Sequence, residues 1–307
     1  MITFIGMASR SSGKIRGIQV SEKIPRLSNF LDINTGGFIK NPGFHKINIF
    51  VRLEVNRLAM DFPTMRAKGV KAGFDLLDRP CADVHNMFKQ GHDNPSIDWK
   101  KYHNQGLDFF IVNNTLTKNL LSEHVTENQK IYVIPHHSVN FENQKIVLRD
   151  EVKNIGYLGT EDQLSSFDKI NNYCKSKNIN LISCHPKTRV DCCNILKDLD
   201  VGIVHFEGDG YCDFAKRYKP NCKLTNFQSF GIPSIVSEYE SFEEFGGGAY
   251  LKGRSLDELI ASIDLLIENP NERNRLRELG LKISEKFHIK NHVLNYYGKI
   301  ISDMGNI

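Results

Sequence analysis

Short apolar runs alternate with amphipathic stretches along the whole chain. The apolar runs predict strands at residues 2–6, 47–53, 73–77, 109–113 and 131–134 in the first half, and at 154–158, 180–183, 201–205 and 234–236 in the second. The amphipathic stretches predict helices at residues 15–24, 58–68, 96–104, 117–124, 163–177, 190–197, 223–230, 255–268, 271–287 and 291–304. This alternation is typical of βαβ units, so we expect an α/β protein with parallel sheets.

Two segments interrupt the alternation. Residues 29–44 are rich in Gly and Asn and allow no assignment, whereas the polar segment 140–153 lacks periodicity and is predicted to be a linker. This linker divides the chain into two α/β domains, which we place at residues 1–145 and 146–289. Open parallel sheets bind ligands outside the carboxyl ends of their strands. The residues that directly follow each strand are therefore candidates for a site in a cleft between the domains.

The composition is that of a globular protein long enough for two hydrophobic cores, with 307 residues of which 40% are hydrophobic and 25% charged. The net charge of +4 is uneven, with +6 on residues 1–150 and −2 on residues 151–307. A basic first half suits an anionic acceptor or an anionic membrane surface, although an ordinary solvated surface has the same pattern. Nucleic acid is disfavoured as a partner because the charge is modest and the sequence has no recognition module.

The seven cysteines include no Cys-x-x-Cys pair. Their odd number, a first segment without a basic leader or cleavage pattern, and the lack of an apolar stretch of 18 residues predict a cytoplasmic protein with reduced thiols. His185 lies close in sequence to Cys184, Cys192 and Cys193, but this spacing fits no standard zinc module. We therefore expect no metal site.

The segment 219–236, Lys-Pro-Asn-Cys-Lys-Leu-Thr-Asn-Phe-Gln-Ser-Phe-Gly-Ile-Pro-Ser-Ile-Val, carries the most chemical information. It predicts a helix from Lys223, a stop at Gly231 and a buried strand after Pro233. The start of a helix offers free backbone N–H groups and the positive end of a dipole, and Lys219 and Lys223 lie there. This helix start is thus a candidate phosphate site. A plain helix–strand connection with a capping glycine is the alternative explanation.

This segment resembles the donor-binding signature of GT-B glycosyltransferases, in which Lys-Leu near a helix start is followed by Gly-Ile-Pro and a hydrophobic strand. Lys223-Leu224 and Gly231-Ile232-Pro233 match that pattern. Other segments resemble the same fold in the same order. Residues 110–118 and 130–135 resemble the end of the acceptor domain, 154–159 the first strand of the donor domain, and 291–304 the C-terminal helix that packs back on the first domain.

The resemblance implies a GT-B fold of two Rossmann-like domains whose parallel sheets face a central cleft. The acceptor would bind domain 1–145, completed by helix 290–305, and a nucleotide-sugar donor would bind domain 146–289. No cofactor or essential metal is implied, since cationic side chains would stabilise the leaving diphosphate. One departure is that Tyr218 and Asn226 occupy the places of the Glu-x7-Glu pair of family-4 retaining transferases. The stereochemical outcome is therefore open, and Asn226 or Gln228 is a candidate partner for a donor ribose or sugar.

The loop after the first predicted strand contains a second group of candidates. It is not a P-loop, because six residues separate Gly6 from Gly13 and Ile15 replaces the Ser or Thr that would hold magnesium. The transferases that the chain resembles have a glycine-rich loop at this place. The loop residues that would contact acceptor or donor phosphate, with a solvated loop as the alternative, are Arg10, Ser11, Ser12, Gly13 and Lys14.

Candidates for a general base follow the predicted strand 73–77. An inverting transferase needs an Asp, Glu or His to take the proton of the acceptor, and Asp78, Asp83 and His85 lie here. A helix-capping role for an Asp explains the same pattern. The pair His136-His137 at the end of the first half is either an acid–base pair or structural.

The remaining candidates follow strands of the second half. In segment 182–189 a His-Pro pair resembles the motif with which bacterial GT-B sialyltransferases hold the phosphate of CMP. Segment 239–248, acidic and then glycine-rich, is predicted to be a loop whose Glu243 and Glu244 bind sugar hydroxyls. The predicted donor-binding residues are Gly159, Thr160, His185, Lys187, Arg189, Arg217, Lys219, Lys223, Leu224, Thr225, Asn226, Gln228 and Glu243.

We therefore expect a glycosyltransferase that moves a sugar from a nucleotide-sugar donor to a glycan, lipid-linked or other acceptor. By resemblance, its pathway would be surface-polysaccharide or lipopolysaccharide synthesis, in the cytoplasm or at the membrane surface. Two alternatives stay open: a nucleotide-sugar epimerase on the same fold, and a non-catalytic protein that binds sugar nucleotides or glycans.

Overall fold

The computed structural model describes residues 2–33, 45–52, 62–78, 83–84, 86–87, 90, 106–206, 216–237 and 239–305, except for the side chains of residues 62 and 63. These residues form two compact units. The first unit consists of Met1–Pro135 and Ile289–Ile307, and the second of His136–His288. The last helical segment thus belongs to the first unit, and the second unit begins at residue 136 rather than at 146.

The first unit is built on six strands: β1 (Ile2–Gly6), β2 (Ser28–Asp32), β3 (Ile47–Val51), β4 (Lys71–Leu77), β5 (Phe109–Val112) and β6 (Lys130–Val133). All pairings are parallel, in the order β2-β1-β3-β4-β5-β6. Every residue of β1, β3 and β5 is buried. Strands covered on both faces need apolar residues at successive positions, which explains the continuous Ile, Phe and Val runs.

The helical segments of the first unit follow these strands. Two of them are π-helical, Gly13–Ile18, which leads into the helix Gln19–Lys23, and Val293–Tyr297. The others are the α-helices Phe62–Ala67, Thr115–Ser122, Ile289–His292 and Gly298–Gly305. The side chain of Asn114 caps Thr115–Ser122 by accepting the Thr117 N–H at 2.8 Å. Tyr297 packs edge-on against Phe4 of β1, so the C-terminal segment covers the sheet.

The second unit repeats the architecture with five strands: β7 (Asn154–Leu158), β8 (Asn180–Cys184), β9 (Val201–Val204), β10 (Ser234–Val236) and β11 (Leu251–Lys252). All are parallel, in the order β11-β10-β9-β7-β8. Its helical segments are Glu161–Gln163, Phe167–Ser176, Arg189–Lys197, Cys222–Phe230, Glu240–Gly246, Leu256–Glu268, Pro270–Ser284 and Glu285–Phe287.

The core of the second unit has two layers, one on each face of its sheet. Successive side chains of a strand point to opposite faces. Ile203 of β9 therefore packs in a cluster with Leu259, whereas the next residue, Val204, packs in a cluster with Phe227. Helices cover both faces, as parallel sheets require.

In both sheets the strand order reverses once. The chain moves from β1 outward to β2 and then back to β3, and in the second sheet from β7 to β8 and then back to β9. Sheets of this kind bind ligands where the order reverses, outside the carboxyl ends of the two strands concerned. In the second unit this is the place where Gly159 follows β7 and His205 follows β9.

Most predicted elements are confirmed, and the strands at 2–6, 154–158 and 234–236 have the predicted bounds. Predicted helix 96–104 and the part of helix 58–68 before residue 62 lie outside the described residues. The acidic segment 239–248 was wrongly predicted to be a loop, since it contains the helix Glu240–Gly246. The predicted helix 291–304 is three consecutive segments. None of the helices within the described residues combines the length and apolar character needed to cross a bilayer.

The predicted linker at residues 140–153 is instead an irregular part of the second unit. Asn140 Nδ2 donates to the carbonyl of Ser229 at 2.7 Å, and the Ile146 N–H donates to the carbonyl of Phe230 at 3.0 Å. Ile146 and Val152 are buried. The prediction was wrong because the polar groups of this segment form hydrogen bonds with side chains and with carbonyls at the end of a helix, and such contacts leave no periodic pattern in the sequence.

Candidate functional site

The strand-order reversal of the second unit lies beside the start of the helix Cys222–Phe230. Gly159, which directly follows β7, donates its N–H to the carbonyl of Cys184 at 2.8 Å. A Cβ atom on Gly159 would lie 2.5 Å from the Tyr157 ring and 3.0 Å from Lys223 Nζ. Only glycine fits at this point without displacing those two side chains. The structure thus places the predicted residue Gly159 directly against the predicted residue Lys223.

Two lysine ammonium groups lie on aromatic rings at this place. Lys223 Nζ is 3.8 Å from the centre of the Tyr157 ring and 5.6 Å from that of Phe206, and Lys219 Nζ is 3.9 Å from that of Phe206. Within about 6 Å the face of an aromatic ring attracts a cation. Tyr157 and Phe206 therefore hold two like charges at the end of the sheet. Sequence reasoning missed both aromatic residues, because aromatic residues at strand ends look like ordinary core.

The ammonium of Lys223 is poorly solvated. Burial, together with a smaller repulsion from Lys219, lowers the pKa of Lys223 to about 7, and Cys222 opposes the shift. Lys223 forms no ion pair among the residues that the structure describes. An anion bound here would favour the charged form and raise the pKa again.

The helix itself adds positive potential. Its first turn offers backbone N–H groups that have no partner within the helix, and the side chain of Asn221 at the cap makes no capping hydrogen bond. Asn221 Nδ2 donates to Thr225 Oγ1 at 2.9 Å, while Asn221 Oδ1 has no partner although it is buried. Helix start and lysine pair thus combine into an anion-binding arrangement. We call Gly159, Lys219, Asn221 and Lys223 the lysine site.

The end of the same helix has the predicted geometry. Gly231 has a φ of +74° and ends the helix, and the chain then enters β10 through Ile232 and Pro233. The helix packs closely on the sheet, since a Cβ atom on Gly202 would lie 2.6 Å from the Phe227 ring. Gly231 thus ends the helix before β10, and Gly202 allows the helix to pack closely on the sheet, with its start at the carboxyl edge.

Several predicted donor contacts are buried parts of the helix. Leu224 is fully buried in the core, and Thr225 is fully buried with its hydroxyl bonded to Asn221. Gln228 is also buried and donates from Nε2 to the carbonyl of Gly246 at 3.0 Å. Asn226 Oδ1 accepts the N–H of Val139 at 3.0 Å. These contacts join the helix to its surroundings in the second unit and give Asn226 and Gln228 a structural role.

Arg189 is also held by its own unit. Its guanidinium forms two hydrogen bonds with Glu142, at 2.7 and 2.8 Å, and lies 4.5 Å from the centre of the Phe141 ring. The hydrogen bonds to Glu142 raise the pKa of Arg189. The predicted phosphate contact from Arg189 therefore has a competing carboxylate. The other two predicted residues of this segment, His185 and Lys187, are exposed after β8.

Three predicted donor residues lie on the surface. Arg217 Nε contacts Glu240 Oε2 at 2.7 Å, and both side chains are half exposed. Glu243 lies in the helix Glu240–Gly246 rather than in a loop, and its carboxylate is 3.5 Å from Lys252 Nζ. Thr160 is exposed and precedes the short helical turn Glu161–Gln163.

The predicted loop of the first unit is a tight turn against β1. The N–H of Arg10 donates to the carbonyl of Met7 at 3.1 Å, and a Cβ atom on Gly13 would lie 2.1 Å from that same oxygen. Gly13 is thus required by a close backbone approach. The side chains of Arg10, Ser11 and Lys14 are exposed, and Ser12 is half-buried.

Of the predicted bases, Asp78 directly follows β4. Its Oδ1 lies 3.4 Å from Nη1 of Arg52, which directly follows β3. Asp83 is half-buried in a short helical turn, and His85 lies outside the described residues. His136 and His137 are buried in the second unit, where the ring of His137 packs against Phe141.

A buried ion pair in the first unit was missed by sequence reasoning. Arg16 is fully buried, and its Nε donates to Asp75 Oδ2 at 2.9 Å. Its other nitrogens donate to the carbonyls of Ile134 and Pro135, at 2.8 and 2.7 Å, and His292 Nε2 donates to the same Pro135 carbonyl at 2.7 Å. The first unit consists of residues 1–135 and 289–307, and this network joins the end of the first of these segments to His292 in the second. Nothing local in the sequence distinguishes Arg16 from a solvated arginine.

Comparisons with known proteins give the fold its name. No protein-family model matches the sequence, and no curated protein matches it. Among solved structures, the chain is similar to sucrose-phosphate synthase from Thermosynechococcus elongatus, at a TM-score of 0.59 and 11% identity over 99% of each chain. It is similar to HepE from Anabaena in complex with UDP, at a TM-score of 0.60 and 8% identity over 100% of each chain. The HepE complex with UDP-glucose matches at a TM-score of 0.60 and 8% identity, over 100% of this chain and 99% of that one.

This similarity extends over the whole chain and over both units. The protein therefore has the GT-B fold, and the predicted fold class is confirmed. At 8–11% identity the similarity establishes the fold and leaves the activity to the residues of the site.

Proposed function

We propose that this GT-B chain is a glycosyltransferase whose second unit binds a nucleotide-sugar donor at the lysine site. The observation that carries the proposal is the pair Lys219 and Lys223, held on two aromatic rings at the start of the helix Cys222–Phe230. The sugar conjugate of a nucleoside diphosphate carries two negative charges on its diphosphate, which matches two ammonium groups and a helix N-terminus. The HepE complexes with UDP and UDP-glucose support a donor of this class.

The geometry suits a diphosphate better than a single anion. Lys223 lies on the Tyr157 ring and Lys219 on the Phe206 ring, so we propose that each ammonium pairs with one of the two phosphates. Gly159 has no side chain to obstruct the approach of the phosphates from the β7 side. Backbone N–H groups of the first helical turn supply further hydrogen bonds to phosphate oxygens.

The same groups would assist the reaction. When the bond between the anomeric carbon and the diphosphate oxygen breaks, its electron pair stays on the diphosphate. The protonated ammonium groups stabilise this growing negative charge, as preorganised charges do in transition states. We propose that these cations serve in place of a metal ion. Asp78 stays our predicted base for the acceptor proton, because it directly follows β4 and keeps an exposed carboxylate.

The acceptor and the pathway extend the same proposal. The net charge of +6 on residues 1–150 supports an anionic or lipid-linked acceptor near an anionic membrane surface. We propose surface-polysaccharide or lipopolysaccharide synthesis in the cytoplasm, on the basis of the family resemblance alone. Epimerisation or simple binding of a nucleotide-sugar would use the same lysine site, so the reaction itself must be measured.

A binding screen tests the donor site. UDP, GDP, CMP, dTDP and their sugar conjugates are added to the wild-type chain and to Lys223→Met, and the unfolding temperature is followed. A ligand at 100 times its Kd stabilises the folded state by about 2.7 kcal/mol. We expect one nucleotide class to stabilise the wild type and not Lys223→Met. Lys169→Met, an exposed lysine in the helix Phe167–Ser176, is the matched control and should keep the response.

A labelled sugar then distinguishes the three activities. The nucleotide-sugar selected by the screen, labelled in the sugar, is incubated with the protein and a membrane and glycan extract. Label in a new glycan or lipid supports a transferase. Label in an isomeric nucleotide-sugar or in free sugar would replace it with an epimerase or hydrolase, and an unchanged donor would favour a binding protein. A wild-type chain that no nucleotide stabilises would refute the lysine site as a donor site.

A further inference from the structure

Three neighbouring strands of the first unit end side by side. Val51 of β3 pairs with Asp75 of β4, and Leu77 of β4 pairs with Val112 of β5. The first residues beyond these strands are Arg52, Asp78 and Asn113. They form one row at the carboxyl edge of the first sheet, the edge at which sheets of this type bind ligands.

The side chain of Asn113 has no partner in this row. Asn113 is 2% exposed, and neither its Oδ1 nor its Nδ2 forms a hydrogen bond. No other amide side chain among the described residues leaves both of these atoms buried and unpaired. Leaving a buried donor and a buried acceptor unsatisfied costs free energy of folding. Asn113 therefore does not contribute to the stability of the fold through its amide.

The next residue shows what a structural asparagine does at this place. Asn114 Oδ1 accepts hydrogen bonds from the N–H and the hydroxyl of Thr117, at 2.8 and 2.7 Å, and so begins the helix Thr115–Ser122. The local backbone thus has its helix cap in Asn114. The amide of Asn113 is available for another partner.

The neighbouring strand ends are strained in a way that fits a binding site. Arg52 and Leu77 have φ angles of +52° and +53°, which residues other than glycine rarely adopt. The left-handed turn at Leu77 directly precedes Asp78, whose carboxylate contacts Arg52 at 3.4 Å. Backbone strain of this kind is found at functional sites, where the surrounding structure maintains it.

We propose that Asn113 binds the acceptor, through hydroxyl groups next to the one that attacks the donor sugar. This inference rests on the proposed glycosyl transfer and extends it to the chemistry of the acceptor. A free amide offers one hydrogen-bond acceptor and two donors. Two neighbouring hydroxyls of a sugar complement it, one donating to Oδ1 and the other accepting from Nδ2. The acceptor is therefore a carbohydrate with a vicinal diol, rather than an isolated alcohol.

In the proposed transfer, each bond that forms is matched by one that breaks. The attacking acceptor oxygen forms a bond to the anomeric carbon, the bond from that carbon to the diphosphate breaks, and the diphosphate leaves with the electron pair. The acceptor proton goes to Asp78, whose Oδ1 is held by Arg52. Asn113 positions the attacking sugar and takes no proton, so it acts on acceptor binding.

Replacement of each of the two adjacent asparagines tests this assignment. Asn113→Leu has nearly the same shape and removes the unpaired polar atoms, so its unfolding temperature should equal or exceed that of the wild type. Asn114→Leu removes the helix cap and should lower the unfolding temperature. A decrease for Asn113→Leu as large as that for Asn114→Leu would mean that the amide of Asn113 is structural, and would overturn the proposal.

Binding of sugars provides the second measurement. A glycan array and saturation-transfer NMR with methyl glycosides, in the presence and absence of UDP, are applied to the wild type and both variants. We expect Asn113→Leu to lose about tenfold or more of the affinity for the sugars that the wild type binds, and Asn114→Leu to keep it. Deoxy analogues that lack one hydroxyl of the diol should bind the wild type as weakly as the parent sugar binds Asn113→Leu.

Two results would contradict the proposal. One is that no sugar of the array binds the wild type, and the other is that Asn113→Leu binds sugars as the wild type does. The stabilisation by UDP is measured in the same samples and depends on the lysine site alone. A failure of the proposed donor site would therefore be visible separately from a failure at Asn113.

Discussion

The ammonium nitrogen of Lys223 lies 3.8 Å from the centre of the Tyr157 ring, where β7 ends beside the start of the helix Cys222–Phe230. The ring keeps a cation in place that burial and the nearby Lys219 disfavour. A poorly solvated cation destabilises the free protein, and this unfavourable free energy is relieved when an anion binds. The proposed donor site depends on this relationship.

The first prediction concerns pH. Burial and Lys219 lower the pKa of Lys223 to about 7 in the free protein, and a bound diphosphate raises it. Lys223 is then mainly protonated below pH 7, so the affinity for a nucleotide-sugar is highest there and decreases as the pH rises through 7. Binding near or above that pH takes up a proton. Titration calorimetry between about pH 6 and 9, in buffers of different ionisation enthalpy, measures both effects.

Two choices make this measurement specific to Lys223. A sugar conjugate is used because the terminal phosphate of a free nucleoside diphosphate titrates itself, at about pH 6. Lys223→Arg is the control, because its side chain stays protonated throughout the range and should remove the pH dependence. The same pH dependence in Lys223→Arg would assign it to another group.

The second prediction concerns Gly159. In Gly159→Ala the added Cβ would lie 2.5 Å from the Tyr157 ring and 3.0 Å from Lys223 Nζ, so one of the two must move. We expect nucleotide affinity to decrease about tenfold and the unfolding free energy to decrease by about 1–3 kcal/mol. Titration calorimetry and urea unfolding measure these changes.

Gly156→Ala, in the strand β7 that directly precedes Gly159, is the matched control for overpacking. Its Cβ would lie 2.1 Å from Leu199, away from the lysine site, so it should lower stability and leave nucleotide affinity unchanged in the folded protein. Equal losses of affinity in the two variants would mean that general destabilisation, and not the site, is responsible.

The third prediction concerns Arg189. Because its guanidinium is engaged by Glu142 and Phe141, Arg189→Met should lower the unfolding free energy by about 1 kcal/mol and leave nucleotide stabilisation intact. Glu142→Gln should have the smaller effect of the same sign. The thermal-shift screen measures both. A complete loss of the nucleotide response in Arg189→Met alone would restore the predicted phosphate contact.

The fourth prediction concerns the buried pair of the first unit. Arg16→Met leaves the buried carboxylate of Asp75 without its counter-ion and the carbonyl of Ile134 without its donor, while the carbonyl of Pro135 keeps only His292. Removal of one member of a buried pair costs about 3–5 kcal/mol, which urea unfolding should detect. The double variant Arg16→Met with Asp75→Leu should recover part of this loss. A cost below about 1 kcal/mol for Arg16→Met would mean that water replaces the guanidinium.

The strands that sequence reasoning placed correctly are those buried on both faces. Ile2–Gly6, Asn154–Leu158 and Ser234–Val236 are continuous apolar or small runs with clear ends. Ser28–Asp32 was missed because it is an edge strand, partly exposed and with polar residues at three of its five positions. The helix Glu240–Gly246 was missed because the glycines that end it indicated a loop.

Local sequence is sufficient to place some of the predicted site residues, whereas others have partners that are distant along the chain. Lys219 and Lys223 were predicted because their position at a helix start follows from local sequence. Asn226 and Arg189 were assigned to a ligand because a single sequence does not reveal their partners Val139 and Glu142, which are distant along the chain. Asn113 has no sequence signal at all, since what distinguishes it is the lack of a partner for its buried amide.

The most direct test of the lysine site compares nucleoside diphosphates with their nucleosides. Titration calorimetry is carried out with UDP, GDP, CDP and dTDP, and with the four parent nucleosides, on the wild type and on Lys223→Met. If the diphosphate binds at the start of the helix Cys222–Phe230, one diphosphate binds the wild type far more tightly than its nucleoside, and Lys223→Met loses most of that difference. A nucleoside that binds as tightly as its diphosphate, or a difference that survives in Lys223→Met, would contradict the account.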